Sequence, residues 1–225
     1  MPAPAASGRA SERASGSTRA PFSRSLAAHA VSQQIRDAEV VFEKVLRHAS
    51  NLLDCHANVR AGAGRRWKEV SLNSAAVALT VAAWQAYVDA CVEAILSTIQ
   101  PAAGTPEEKH FHLVNASTRT VLKNFSTPNA QKTRELFLNV GFDPRPHWTW
   151  TWYGQLWTVL DAEQTINQWL DVRHAVAHGF PIPAHPIVTV NAGGATVRLA
   201  NARSCVWFFR KLVEVTTLAA DRRFP

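Results

Sequence analysis

The chain has 225 residues, of which 47% are hydrophobic, and it carries a formal net charge of +7. That length suits one domain with a tail, and the apolar share is enough for a sizeable core. Its three cysteines, Cys55, Cys91 and Cys205, are far apart and form no Cys-x-x-Cys pair, which argues against a disulfide scaffold or a cysteine zinc site and for a reducing, cytoplasmic compartment. The isoelectric point near 9.8 favours polyanionic partners without specifying one. Part of the excess lies in the first twenty-five residues, where Arg9, Arg13, Arg19 and Arg24 face only Glu12, leaving +4 on the remainder. The amino terminus lacks the apolar core of a secretory signal.

Residues 1–24 are mainly Ala, Ser, Gly, Pro and Arg and predict a disordered tail. Residues 25–225 are expected to form the domain. From Ser25 to Asn58, apolar residues such as Ile35, Ala38, Phe42, Val45, Leu46 and Leu53 recur at spacings of three and four, which predicts a first helix. Ala61 to Arg66, with Gly62 and Gly64, reads as a loop. A second helix is predicted from Asn73 or Ser74, acting as N-cap, to Ile99, before Pro101 and Gly104. It is apolar nearly all round, the mark of a central helix. Gln85, Asp89 and Glu93 inside its most apolar run, Ala75 to Leu96, favour a buried helix over a membrane span.

Thr105-Pro106-Glu107-Glu108 has the form of a capping box with proline at the first helical position, opening a third helix to Leu122. Asn124-Phe125-Ser126 is a break, and Thr127-Pro128 is expected to cap a short fourth helix through Phe137, ended by Gly141. Trp148 to Trp152 alternates as a short strand or lies as an aromatic loop on the core. A fifth helix is predicted over Ala162 to Ala177, followed by an extended linker, Pro181 to Pro186. Ile187–Val190 and Ala195–Leu199 flank Asn191-Ala192-Gly193-Gly194 as a β-hairpin. A last helix runs from Asn201 to Ala220. The expected fold is all-α, a helical bundle with one small hairpin before the last helix.

The end of the fifth helix carries the chemistry. Asp171-Val172-Arg173-His174-Ala175-Val176-Ala177-His178-Gly179 places an arginine five residues before a histidine, with a second histidine directly after the arginine. Arginine grips phosphate with a planar, permanently charged fork, and histidine moves protons near neutral pH. Together they suffice for metal-free cleavage of RNA, in which the 2′-hydroxyl of the substrate is the nucleophile. Five residues on an ideal helix are about 140° apart. Arg173 and His178 therefore share no face of one helix, while His174 and His178 do. Either the helix loosens near Gly179, or a second copy supplies the missing group across a two-fold axis. A plainer reading is a C-capping histidine followed by a glycine and proline helix stop.

These residues resemble HEPN domains, a helical superfamily of nucleotide-binding proteins and ribonucleases, and within it the RiboL-PSP-HEPN branch. The family signature is an arginine, four to six residues, then a histidine at the end of a late helix, and Arg173 to His178 matches with four residues between. His174 stands where the family most often has asparagine. Ala82-Ala83-Trp84-Gln85-Ala86-Tyr87-Val88 is similar to the first core helix of the branch, with Gln85 where an acid is expected. Asn124-Phe125-Ser126-Thr127-Pro128-Asn129, Leu136-Phe137, Val140-Gly141-Phe142 and the Trp148 cluster are similar to its middle segment. The resemblance covers residues 74–179. It implies a metal-independent, cofactor-free endoribonuclease acting as a homodimer, often in toxin–antitoxin or phage-defence systems with an inhibiting partner protein. By carry-over, His178 moves protons, Arg173 holds the scissile phosphate, and His174 orients it or assists. Gln85, Tyr87 and Asn124 are weaker candidates for substrate contacts.

Two other functions fit the same residues. A non-catalytic nucleotide-binding, RNA-binding or dimerisation module would use Arg173 only to grip phosphate. A metal site would use His174 and His178 at the i, i+4 spacing of helix-borne zinc pairs, although the Glu of His-Glu-x-x-His is absent. The eight tryptophans offer stacking surfaces for bases but are expected mainly in the core.

Overall fold

The computed structural model describes residues 22–58, 67–152 and 154–224. The described chain is mostly helical. Six α-helices lie among the described residues: α1 Phe22–Asn58, α2 Trp67–Thr98, α3 Pro106–Lys123, α4 Ala130–Leu138, α5 Val159–His178 and α6 Leu199–Arg223. A 3-10 turn, Arg145–His147, and a hairpin of β1 Trp150–Trp152 with β2 Gln155–Trp157 lie between α4 and α5. A second hairpin, β3 Thr189–Asn191 with β4 Gly194–Thr196, lies just before α6. Of the tail expected over residues 1–24, residues 1–21 fall outside the described residues, as does the loop Ala61–Arg66, while residues 22–24 already belong to α1.

The core is built around α2. Ile35, Ala38, Phe42, Leu46, Ala49 and Leu53 of α1 form one buried stripe at spacings of three and four, and α2 lies along it. Trp84, Tyr87, Val88, Cys91 and Ile95 of α2 are fully buried, and Phe208, Phe209, Leu212 and Val213 of α6 close over them. Trp84 stacks on Tyr87 with ring centroids 5.5 Å apart. The α2 helix is long and apolar enough to cross a membrane, but more than half of its most apolar window is buried inside the bundle, which accounts for that apolarity. At the outer edge, Arg36 pairs with Asp221 at 3.1 Å and Arg210 with Glu43 at 2.9 Å, joining α1 to α6 in antiparallel sense.

Several helix ends differ from expectation, each because a tertiary or local bond takes the predicted capping group. The α2 helix begins at Trp67, six residues before Asn73. Asn73 is buried, and its amide donates to the Val197 carbonyl at 3.2 Å instead of capping. Thr105 makes no side-chain cap, because its hydroxyl and its N–H both turn to the Ala102 carbonyl. Glu108 instead accepts from the Gly104 N–H at 2.7 Å. Asn129, not Thr127, caps α4 by accepting from the Lys132 N–H at 2.7 Å. Pro128 stays outside the helix, its carbonyl taken by the Trp84 indole N–H at 3.3 Å.

The tryptophan stretch is half of a hairpin. Trp150 pairs with Trp157 and Trp152 with Gln155 across a turn containing Gly154, whose φ of 77° favours glycine. Trp148 precedes the strand and is buried, with its indole N–H donated to the Thr216 hydroxyl at 3.0 Å. The second hairpin follows the predicted turn, but its strands are shorter than the expected Ile187–Val190 and Ala195–Leu199.

Candidate functional site

The α5 helix is firmly started and cleanly stopped. Thr158 and Asp161 form a capping box: the Asp161 N–H donates to the Thr158 hydroxyl at 3.3 Å, and the Thr158 N–H donates to the Asp161 carboxylate at 2.9 Å. The Thr158 hydroxyl, donating to the Asp161 carboxylate at 2.7 Å, and then the Thr158 N–H hold that carboxyl below its ordinary pKa. The helix stays α-helical through His178, and Gly179 ends it in the left-handed region with φ 69°. The Phe180 N–H then bonds back to the Ala175 carbonyl at 2.9 Å. No loosening before Gly179 brings Arg173 and His178 together, so the first of the two routes open to the sequence is closed.

What the helix does bring together is the histidine pair. His174 and His178 are both exposed, with ring centroids 4.3 Å apart. Phe180, turned back by Gly179, stacks on the His178 ring at 5.7 Å and lies 6.0 Å from His174. Sequence reasoning missed this third ring, although Gly179 followed by an aromatic residue was the available signal. Val172 and Ala175 are buried on the inner side. The only acid within one turn of His174 toward the start of the helix, Asp171, is held by His185 of the linker at 3.1 Å.

Arg173 lies about 140° around the axis from His178, on the side shared with Trp169 and Leu170, and is half-buried. Three described arginines are half-buried: Arg134, Arg145 and Arg173. Arg134 holds Asp143 with bonds of 2.7 to 3.1 Å, and Arg145 donates to Glu163 at 3.0 Å. Arg173 has no carboxylate or hydrogen-bond partner among the described residues. A guanidinium that no other described residue engages and that reaches solvent is a ready seat for an anion.

The weaker candidates separate clearly. Tyr87 is fully buried, shares a hydrogen bond of 2.9 Å with Thr217, and has its hydroxyl pKa pushed up by burial. It faces the core and no cleft, a correction to its reading as a substrate contact. Gln85 is half-buried and donates to the Phe125 carbonyl at 2.6 Å, tying α2 to the turn after α3. Asn124 is exposed, donates to the Thr120 carbonyl at 3.0 Å, and lines a surface cavity of about 590 Å3 with Phe125, Lys132 and Asn139. That cavity includes none of Arg173, His174 and His178.

Among the described residues no three histidine, cysteine or acidic side chains gather as a metal-ligand set, so His174 and His178 lack a third protein donor. Cys91 and Cys205 are buried, and burial pushes the Cys91 thiol up to about 12. No family model matches the chain, and no curated protein or solved structure matches it.

Proposed function

We propose that the chain is a metal-independent endoribonuclease whose active groups are Arg173, His178 and His174, working as a homodimer in the cytoplasm. The observation that carries this reading is Arg173, half-buried and without a counter-ion among the described residues, directly before an exposed pair of histidines. A histidine takes the proton of the RNA 2′-hydroxyl, the 2′-oxygen bonds to phosphorus, and the 5′-oxygen leaves with a proton from a second imidazole. Arg173 holds the non-bridging oxygens as charge builds on them. The products are a 2′,3′-cyclic phosphate and a 5′-hydroxyl. Because Arg173 and His178 point apart on one regular helix, the working site combines Arg173 of one copy with the histidines of the other. A toxin–antitoxin or phage-defence setting, with a protein inhibitor, is the context this reading carries.

The test is cleavage of end-labelled RNA by purified protein in the presence of chelator. The expected result is fragments ending in cyclic phosphate, absent with Arg173→Ala and with His178→Ala. A composite site makes a sharper demand. Mixing the two inactive variants at equal amounts should restore about a quarter of the activity, since half the dimers are mixed and each carries one intact site of two. RNA bound without turnover would replace the proposal with a binding module that uses Arg173 as a phosphate grip. Activity lost to chelator would point instead to a metal held by His174 and His178.

A further inference from the structure

A cleft of about 300 Å3 lies between the β1–β2 hairpin, α5 and the linker that leads back from Phe180. Its polar lining is three primary amides, Gln155, Gln164 and Gln168, with the Thr165 hydroxyl and the Asp161 carboxylate. Gln168 is only 9% exposed and Thr165 8%, yet neither side chain has a hydrogen-bond partner among the described residues. Their polar atoms are not closed off from solvent and open onto the cleft. Donors and acceptors that the described residues leave free beside one cleft are available to a ligand. Trp157 also lines the cleft, its ring stacked on Trp150 at 5.4 Å.

The lining selects the ligand class. Asp161 at the edge is ionised and disfavours a phosphate or carboxylate inside. The amides carry no charge and present paired donors and acceptors. A planar, neutral ring with a matching edge fits, and the volume lies at the small end of ligand sites, about 300–1,000 Å3. An amide side chain reads adenine through two bonds, to N6 and N7, and bases stack on aromatic side chains.

Position supplies the source of the base. Gln164 and His178 lie about 40° apart around α5, and Gln168 is about 15 Å along the axis from His178. The geometry points to a nucleobase pocket that receives an adenine of the RNA strand presented to the histidine end of α5. This rests on the ribonuclease reading only for the strand as the source of the base.

The experiment measures binding of labelled eight-nucleotide oligo(A) and oligo(U) to the full chain carrying His178→Ala, which prevents turnover. Oligo(A) should bind at least about tenfold tighter, a difference of 1.4 kcal/mol. Gln164→Leu with Gln168→Leu should bring the two to parity, with the melting temperature little changed because neither amide bonds to another described residue. Gln155→Ala, on the exposed hairpin, should weaken the preference in part. Equal binding by the parent chain, a preference that survives the leucine variant, free adenosine binding as tightly as the octamer, or competition by maltose would each overturn the proposal. Cleavage by the unsubstituted chain is scored separately. An inactive chain that prefers oligo(A) keeps the pocket and loses the ribonuclease; an active chain without preference does the reverse.

Discussion

Arg145 and Arg173 are both half-buried arginines close to α5, and they have opposite surroundings. Near the start of the helix, Arg145 meets Glu163, and beside it Arg134 meets Asp143, which also accepts the Arg145 backbone N–H at 3.1 Å. These bonds tie α4, the 3-10 turn and α5 into one piece, and the Arg134 guanidinium holds the Asp143 carboxyl below its ordinary pKa. At the far end, Arg173 has no such partner among the described residues. One residue type at similar burial is completed in one place and left open in the other. Where the charge is met internally it sets geometry; where it is unmet it is available to something outside the chain.

The largest expected effect comes from removing the open charge. Arg173→Ala should slow RNA cleavage by about 100- to 1,000-fold, the usual loss for one group that stabilises transition-state charge, while leaving the melting temperature unchanged or slightly higher. A comparable loss of stability in this variant would sink the contrast. Arg145→Ala should do the opposite, lowering unfolding free energy by about 1 kcal/mol with cleavage within twofold of the parent. A smaller effect appears in acid. Asp143 and Asp161 have native pKa values below 3.8. Their stabilisation is present above that value and is lost as pH falls through the depressed native values. Urea midpoints measured at pH 6 and pH 3 should converge between parent and Asp143→Ala.

The smallest effect has the opposite sign and tests the interior. Asp89 of α2 is raised to about 6, by burial first and by Glu93 second. Its neutral form is favoured by folding, so its contribution is full below pH 3.8 and lost as pH rises through 6. Asp89→Asn should therefore raise the melting temperature at pH 8 by roughly 2–4 °C, and by nothing at pH 4.

Much of this was legible in the chain. The helices follow from apolar spacing, as in the α1 stripe from Ile35 to Leu53, because burial along one face is a local pattern. The 140° separation of Arg173 and His178 follows from helix geometry alone. What was not legible depends on partners distant in sequence. Asn73 reads as a cap until Val197 takes its amide, and Pro128 as a helix start until Trp84 takes its carbonyl. Strand β2 is three residues long and shows itself only when paired with β1. Gln155, Gln164 and Gln168 carry no motif, since the hairpin and the returning linker bring the cleft together.

The place of α6 also bears on how the molecule is made. Residues 199–223 supply Phe208, Phe209 and Leu212 to the centre of the bundle, and α6 packs on both α1 and α2. Until that segment leaves the ribosome, Trp84 and Phe42 lack their cover. At about 5–20 residues per second, the unfinished chain presents an open apolar groove for on the order of ten seconds or more. Folding then waits on contacts that span most of the sequence, which slows it relative to a bundle closed by neighbouring helices. The proposed site at the end of α5 would stay incomplete through that interval, because its helix is synthesised before the core that positions it is complete.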